Sequence, residues 1–198
     1  MKIKLLNLCA AGLLAVAASN ASAVVISLVP DSAIVSVGAS FDVAVTISGL
    51  GTNVAPSLGT FDLDVLFDSA LLSPTGVVYG TELDQGIFGS LVLGFGDLGG
   101  GVFNIAELSF EDPGVLDASQ PGAFTLATIT FDSLAAGTAI LDLLIFAIGD
   151  SLGDPLPVDA QVLATVNLVP ELVPEPVTLL LLAAGLLGVG FKRRHGAG

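Results

Sequence analysis

Positive charge is absent from almost the whole length of the chain, and this absence limits how such a sequence can fold. The basic residues are Lys2, Lys4, Lys192, Arg193 and Arg194, and the only histidine is His195. All 19 carboxylates lie between Asp31 and Glu175, and the 198-residue chain has a formal net charge of -14. Any fold between the two basic ends therefore forms without internal salt bridges. The length allows one domain at most, plus accessory segments.

The charge distribution also excludes several classes of function. Nucleic-acid binding requires Lys and Arg side chains that release counterions from phosphates, and the middle of the chain has none. Catalysis by His, Lys or a thiol is excluded there too, because the only cysteine is Cys9. We therefore predict a scaffold or binding function and no enzymatic activity.

Residues 1–23 have the organisation of a secretory signal peptide. Lys2 and Lys4 precede an apolar run, and the small residues Ala21 and Ala23 predict a cleavage site before Val24. Cys9 would leave with this segment, so the mature protein is expected to fold without disulfides in an oxidising compartment. An uncleaved membrane anchor is the alternative, and the shortness of the apolar run disfavours it.

A second apolar stretch, residues 177–191, is followed directly by Lys192, Arg193 and Arg194. As a helix it would extend about 22 Å, which is less than the about 30 Å of a hydrocarbon core. The basic cluster is typical of a cytoplasmic stop, and long basic side chains can extend to the interface. We predict a single transmembrane helix here, with a buried core helix as the alternative.

Val173, Pro174, Glu175 and Pro176 stand directly before this stretch. The prolines disfavour helix and keep the preceding chain extended. With the apolar segment and the basic end, they resemble the PEP-CTERM sorting signal of exopolysaccharide-producing bacteria. The resemblance implies a sorting segment at 173–198 that an exosortase-type protease processes near Pro174 to Pro176. It also implies a precursor anchored in the inner membrane with a periplasmic domain, which is then delivered to the cell surface or released.

Residues 24–172 predict an all-β domain. Strict alternation of apolar and polar residues over 41–48 and 60–68 is typical of half-buried strands. In the second of these, Asp62, Asp64 and Asp68 are expected to face solvent. Further strands are expected at 24–29, 33–37, 77–79, 90–93, 102–110, 122–131, 138–148 and 161–169, with a turn or two of helix within 113–120. Clusters of Gly, Pro, Asp and Ser separate the strands at short intervals, as in antiparallel sandwiches.

Several segments of this region resemble cohesin-like domains. They are Val37-Gly38 with Phe41-Asp42-Val43, then 59–65 (GTFDLDV), and 124–131 (FTLATITF) with Ala136-Gly137-Thr138. Cohesins are jelly-roll sandwiches related to bacterial carbohydrate-binding modules. The resemblance implies an antiparallel, jelly-roll-like β-sandwich over 24–172. In this family a dockerin or a polysaccharide is bound, but no binding residue carries over to this sequence.

Two motifs carry residue types that are found at catalytic or nucleotide sites, although their contexts do not fit. Gly94 to Gly99 matches a dinucleotide-binding fingerprint, but residues 102–105 predict a strand where a helix is required. A hairpin loop is favoured there. Carboxylate pairs such as Asp62 and Asp64 are the residue types of glycoside hydrolysis. The chain has no Trp and only one Tyr, Tyr79, so a solvated acidic face is favoured over a sugar-cleaving site.

Calcium is the one cofactor that the composition suggests. All carboxylates except Glu175 lie within 24–172, and self-repulsion at this density destabilises a compact state. Asp150, Asp154 and Asp159 fall in one predicted loop, and carboxylate oxygens are suitable ligands for a hard divalent cation. Their spacing is not that of an EF-hand, so diffuse screening by counterions is the alternative to a specific site. In either case, calcium or raised ionic strength is expected to stabilise the domain.

Together these features predict a non-enzymatic component of the cell surface or of the exopolysaccharide matrix of a biofilm. Such a protein would contribute structure or adhesion through protein contacts or through cation bridging. The alternative is a carbohydrate-binding module for polysaccharide. The absence of Trp counts against it, because flat glycan surfaces are commonly bound by exposed aromatic rings.

Overall fold

A computed structural model describes residues 23–171. This part of the chain has twelve strands and one short helix: β1 Val24–Pro30, β2 Ile34–Ser36, β3 Ser40–Ser48, β4 Leu58–Leu66, β5 Leu72–Tyr79, β6 Ser90–Val92, β7 Gly96–Gly99, β8 Val102–Ser109, α1 Pro113–Ser119, β9 Ala123–Ser133, β10 Gly137–Asp150, β11 Val158–Val162 and β12 Ala164–Val169. No helix within these residues is long and apolar enough to cross a membrane. The predicted transmembrane helix at 177–191, and the predicted signal peptide apart from Ala23, lie outside them.

The strands form two sheets that face each other. The smaller sheet has the order β11-β1-β3-β9-β5, and the larger sheet has the order β2-β12-β10-β4-β8-β6, with β7 also paired to β8. Pairing is antiparallel except for β1 with β11 and β2 with β12, which are parallel. The predicted all-β sandwich is therefore confirmed, with two parallel pairs at the sheet edges.

One hydrophobic core lies between the sheets, and the alternation of the strands builds it. In β3, Phe41, Val43, Val45 and Ile47 are all buried and pack in the same cluster as Leu63 of β4 and Leu141 of β10. Side chains at alternate positions of a strand point to the same face, so this pattern places one face of each sheet inward. The cluster draws on both sheets, as expected for a sandwich.

The sandwich has two ends, which differ in their loops. At the first, the chain leaves the sandwich after β12, because the Val169 carbonyl accepts a hydrogen bond from Val37 N at 2.8 Å. We call it the exit end, and its loops are 31–33, 37–39, 67–71, 100–101 and 134–136. At the opposite end, α1 packs beside the start of β4. We call it the helix end, and its loops are 49–57, 80–89, 110–122 and 151–157.

Most predicted strands are present, although β5 begins at Leu72, five residues before the strand expected at 77–79. Three further details of the prediction were wrong. The segment 161–169 is not one strand: the chain passes from β11 in the smaller sheet to β12 in the larger sheet at Leu163. A strand at 96–99, β7, was missed. It forms the predicted glycine-rich hairpin with β8, where Gly101 has φ +85° and any Cβ would collide with the Phe67 carbonyl oxygen. The third detail is Asp64, which is buried and does not face solvent.

Candidate interaction surface

The outer face of the smaller sheet is polar and its polar groups are paired with each other. Asp42 accepts a hydrogen bond from Thr130 Oγ1 at 2.7 Å, and Asp132 accepts one from Ser40 Oγ at 2.6 Å. These pairs join β3 to β9, the central strands of the sheet. Such a face is typical of a solvated surface.

The outer face of the larger sheet is different, because β10 is apolar on both sides. Ala139, Leu141 and Leu143 of this strand are buried in the core, whereas Ile140 and Leu144 between them are 58% and 46% exposed. Phe146 follows at 60% exposure. We call Ile140, Leu144 and Phe146 the apolar stripe.

A bulge in β10 lies at Phe146. Ile145 pairs with Leu63 of β4, but Ala147 pairs with Asp62, so Phe146 has no partner in the register. Phe146 has the outward parity of Ile140 and Leu144, so the alternation of the strand already places this large ring on the surface. The extra residue shifts the alternation after this point, so that Ala147 is exposed and Ile148 is buried.

The free edge of the larger sheet adds a second exposed apolar group. It consists of β6, β7 and the residues beside them, and its exposed apolar side chains are Ile87, Phe88, Leu91, Val92, Leu93, Phe95 and Leu98. We call this group the apolar edge. Single exposed apolar residues are normal in soluble proteins, but contiguous groups of them mark interaction sites.

Between the stripe and the edge lies a buried polar group that the sequence did not predict. Asn104 of β8 donates from Nδ2 to Asp62 at 2.9 Å and to Asp64 at 2.8 Å, and its Oδ1 accepts from Phe95 N at 3.1 Å. Asp64 is only 7% exposed as a result. The amide therefore joins β4, β8 and the apolar edge into one unit and fixes the backbone that carries Phe95.

A second carboxylate, Glu111, holds the start of the apolar edge. It accepts hydrogen bonds from the backbone N–H groups of Ile87, Phe88 and Gly89 at 3.2, 2.8 and 2.6 Å. A Cβ at Gly86 would collide with the Glu111 carboxylate, so a larger residue there would push the carboxylate away from these bonds. Ile87 and Phe88 are thus presented to solvent by a fixed backbone rather than by an unconstrained loop.

Among the acidic residues of 23–171, Glu107 is the one with a clearly perturbed pKa, and it lies on the inner face of β8. It is 2% exposed and accepts a hydrogen bond from Ser90 Oγ at 2.5 Å. Burial raises the pKa of the Glu107 carboxyl, the bond from Ser90 lowers it, and the charge of Asp84 raises it. The pKa of Tyr79, which stacks on Phe61, is raised by burial, lowered by its hydrogen bond to the Ala106 backbone and raised by the charge of Glu107. A substrate does not reach Glu107 in this conformation, so the perturbed carboxyl is part of the core.

The residues predicted to hold calcium are not gathered into a site. Asp150 Oδ1 accepts from Leu152 N and Asp154 N, both at 2.9 Å, and so closes the turn after β10. Asp159 lies in β11, beside an open depression that Ile145 and Gln161 also line. Within residues 23–171 no three His, Cys, Asp or Glu side chains are grouped so that they could hold a metal ion. Calcium binding stays a prediction, without a preformed cluster to support it.

The predicted processing residues lie almost entirely outside the described part of the chain. This holds for Ala21, for the motif Val173, Pro174, Glu175 and Pro176, and for Lys192, Arg193 and Arg194. Ala23 is described, and it is exposed directly before Val24, which is fully buried at the start of β1. The predicted signal cleavage site therefore abuts the first residue of the sandwich core.

Comparison with protein families identifies the C-terminal segment. The family described as the PEP-CTERM protein-sorting motif matches residues 172–194. The motif indicates an exported protein that is handled at the membrane and processed by an exosortase. Among curated proteins, none matches this sequence.

Comparison with solved structures identifies the fold of the described residues. A non-cellulosomal cohesin from Archaeoglobus fulgidus is 20% identical, with a TM-score of 0.56 and coverage of 74% of this chain and 91% of that one. A type II cohesin domain from the cellulosome of Acetivibrio cellulolyticus is 21% identical, with a TM-score of 0.61 and coverage of 73% and 95%. A cohesin in a type I cohesin–dockerin complex from Clostridium thermocellum is 12% identical, with a TM-score of 0.58 and coverage of 74% and 99%. The chain thus has a β-sandwich with the cohesin fold, followed by a PEP-CTERM protein-sorting motif.

Proposed function

We propose that this chain is an exported surface protein whose sandwich is a non-catalytic, protein-binding module. In this proposal the outer face of the larger sheet, with the apolar stripe and the apolar edge, is where the partner docks. The partner is a protein surface that offers apolar side chains together with Lys or Arg. A cohesin in complex with a dockerin is among the similar structures, which supports a protein as the partner of such a fold.

The difference between the two outer faces is the observation that carries this proposal. Both sheets are solvated on the outside, yet only the larger one presents an aromatic and aliphatic row at its centre and a second one at its edge. Exposed apolar side chains cost stability in water and increase the risk of aggregation. A function in binding explains why exposed apolar side chains lie on the outer face of the larger sheet, while the centre of the outer face of the smaller sheet is polar.

Charge decides which kind of partner fits. Residues 23–171 contain no Lys, Arg or His, so every partner meets a negative surface. Asp142 lies between Ile140 and Leu144 on the outer side of β10, and Asp62 of β4 pairs with Ala147, the residue after Phe146. Juxtaposed like charges disfavour binding, and opposite charges accelerate encounter. An acidic polysaccharide is therefore disfavoured unless divalent cations bridge it, and a basic protein surface is favoured.

A matched pair of variants tests the docking face. The triple variant Ile140→Ser, Leu144→Ser, Phe146→Ser removes the stripe, and Val29→Ser with Val78→Ser removes exposed apolar side chains from the smaller sheet as a control. Partners captured from surface extracts of the native host are identified, purified and titrated against each protein by calorimetry. The stripe variant should bind at least tenfold more weakly than the control, and affinity should fall with added salt. Equal affinities would refute the proposed face, as would retention on exopolysaccharide that soluble sugar displaces in both variants.

The sorting part of the proposal concerns the two ends of the mature protein. We propose cleavage before Val24, processing near Pro174 to Pro176, and delivery to the cell surface or the matrix. Mass spectrometry of the mature termini, from cells with and without the sorting protease, tests both ends at once. Without the protease, the product should retain residues beyond Pro176 and remain with the membrane. An unchanged C-terminus in those cells would contradict processing by that enzyme.

A further inference from the structure

We infer that the exit end of the sandwich lies against the anionic lipid surface while the precursor is still anchored, with the helix end pointing away. This inference rests on the proposed anchoring of the precursor by its C-terminal segment. It adds a second surface with a different partner, because the docking face lies on the side of the sandwich and this contact lies at one end.

The tether between the sandwich and the sorting motif is too short for the motif to reach the helix end. Val169 is fixed in the sheet by parallel pairing with Ser36 and by the bond that its carbonyl accepts from Val37 N. Pro174 follows five positions later, so the two are separated by about 18 Å at most. The nine residues of β4 alone extend over roughly 27 Å between the two ends. The motif therefore cannot pass to the helix end, and whatever holds the motif at the membrane holds the exit end beside it.

The loops at the helix end carry more negative charge than those at the exit end, as the proposed orientation requires. The helix-end loops carry six carboxylates: Glu82, Asp84, Glu111, Asp112, Asp117 and Asp154. The exit-end loops carry two, Asp31 and Asp68, and the exposed Glu171 follows β12 at the same end. Charges interact with a charged surface over about 10 Å at moderate salt, so only the loops nearest to the lipid contribute to repulsion. The end that the tether holds close is the one that a negative membrane repels least.

The exit-end loops are also built from small and uncharged residues. Residues 37–39 read VGA, 100–101 read GG and 134–136 read LAA. Asp68 uses its Oδ1 to accept a hydrogen bond from Ala70 N at 2.9 Å, which ties the carboxylate to its own turn. Apart from the carboxylates of Asp31 and Asp68 and the exposed side chain of Leu134, these loops present small uncharged residues that can approach headgroups closely.

Depth-dependent quenching tests the orientation in the precursor after removal of the signal peptide, residues 24–198, because an uncleaved signal peptide would also hold Val24, and with it the helix end, at the membrane. This chain has no native thiol, and one new thiol is added at each end by Ala136→Cys or Ala118→Cys, both at exposed alanines. Each variant is labelled with a fluorophore and reconstituted into vesicles of phosphatidylcholine and phosphatidylglycerol that carry a headgroup quencher. The label at Ala136 should be quenched several-fold more than the label at Ala118. Insertion of about twenty Gly/Ser residues after Glu171, roughly 25 Å of flexible chain, should largely remove the difference.

The outcomes separate this inference from the proposal on which it rests. A precursor that does not enter vesicles would overturn the anchoring and this inference together. A precursor that enters but shows equal quenching at both ends would overturn the orientation alone. A third outcome is that the difference in quenching between the labels at Ala136 and Ala118 is the same with and without the spacer. That result would show that the tether does not set the orientation, and it would overturn the argument as well.

Discussion

Gln120 is the polar side chain whose removal should cost the described domain most. It follows α1 and is 1% exposed. Its Oε1 accepts from Leu58 N at 2.7 Å, and its Nε2 donates to the carbonyls of Leu58 and Glu82, both at 2.8 Å. One amide thus joins the helix end of β4, the loop after β5 and the end of α1. We predict that Gln120→Ala strongly destabilises the sandwich.

The magnitude follows from those three bonds. A neutral hydrogen bond contributes about 1 kcal/mol net, and a buried donor or acceptor that loses its partner costs about 1–3 kcal/mol. Leu58 is fully buried, so its N–H group cannot reach bulk water unless the structure opens. The expected loss is about 3–5 kcal/mol, out of the 5–15 kcal/mol typical of a small domain. The isosteric Gln120→Glu should recover little, because an ionised carboxylate cannot donate to the two carbonyls.

Urea unfolding followed by circular dichroism measures this loss, and Gln85→Ala is the control. Gln85 also makes two hydrogen bonds, to the Thr81 carbonyl at 3.0 Å and to Glu82 Oε2 at 2.8 Å, but it is exposed in its loop. Its removal should cost about 0.5 kcal/mol or less, because water replaces the lost partners. The argument fails if the free energies of unfolding of the two alanine variants differ by less than about 1 kcal/mol. Burial would then not determine how much the loss of these hydrogen bonds costs.

Three further predictions concern charge and buried polar groups. Burial raises the folded-state pKa of Glu107 above its ordinary value of 4.5, so its contribution to stability is fully present below pH 4.5 and is lost as pH rises through the folded pKa. Glu107→Gln keeps an acceptor for Ser90 and should gain stability relative to wild type as the pH rises above 4.5; urea titrations that show the same pH dependence in both proteins would contradict this. Ser133 Oγ is buried without a hydrogen-bond partner within residues 23–171, so Ser133→Ala should be neutral or stabilising by up to about 1 kcal/mol, whereas Ser57→Ala, which loses a 2.5 Å bond to Asp117, should cost about 1–2 kcal/mol in thermal melts. Calcium and matched monovalent salt should both raise the melting temperature of the mature domain relative to chelator; a larger rise with calcium indicates a specific site, and no rise with either refutes the self-repulsion argument.

Strand positions could be predicted because most strands have one buried and one solvent-exposed face, which produces an alternating sequence. The alternation over 41–48 predicts β3 almost residue for residue, and the sheet order places that strand at the centre of the smaller sheet. The switch between sheets at Leu163 could not be predicted, because β11 and β12 together form one uninterrupted β-like sequence without a Gly or Pro. Only the two different partners, β1 and β10, separate them.

Burial of polar side chains was the weaker part of the prediction. Asp64 lies on the same face of β4 as Asp62, so the alternation predicts that both are exposed. Nothing in the sequence around Asp64 shows that Asn104, on another strand, will cover it. Glu107 follows Phe103 and Ile105 in the inward register of β8, so the strand must turn a carboxylate into the core. One signal for the proposed interaction surface was present in the sequence. In β10, from Ile140 to Ile148, apolar residues stand at both the inward and the outward positions of the strand. This pattern indicates that the outer face of the strand is apolar as well as the inner one.

The absence of cations explains both how the sandwich satisfies its carboxylates and what it requires from a partner. Its best-held carboxylates accept neutral N–H groups: Glu111 accepts three backbone donors and Asp150 accepts two. Such bonds occupy the carboxylate oxygens but leave the negative charge without an opposite charge beside it. The sandwich therefore completes its fold with its whole negative field intact, and only counterions or a partner can reduce that field. Because an opposite charge on the partner increases the rate of encounter and not only the final affinity, a basic protein should associate with the larger sheet faster at low salt. An uncharged partner that contacts the same apolar stripe should show no such dependence.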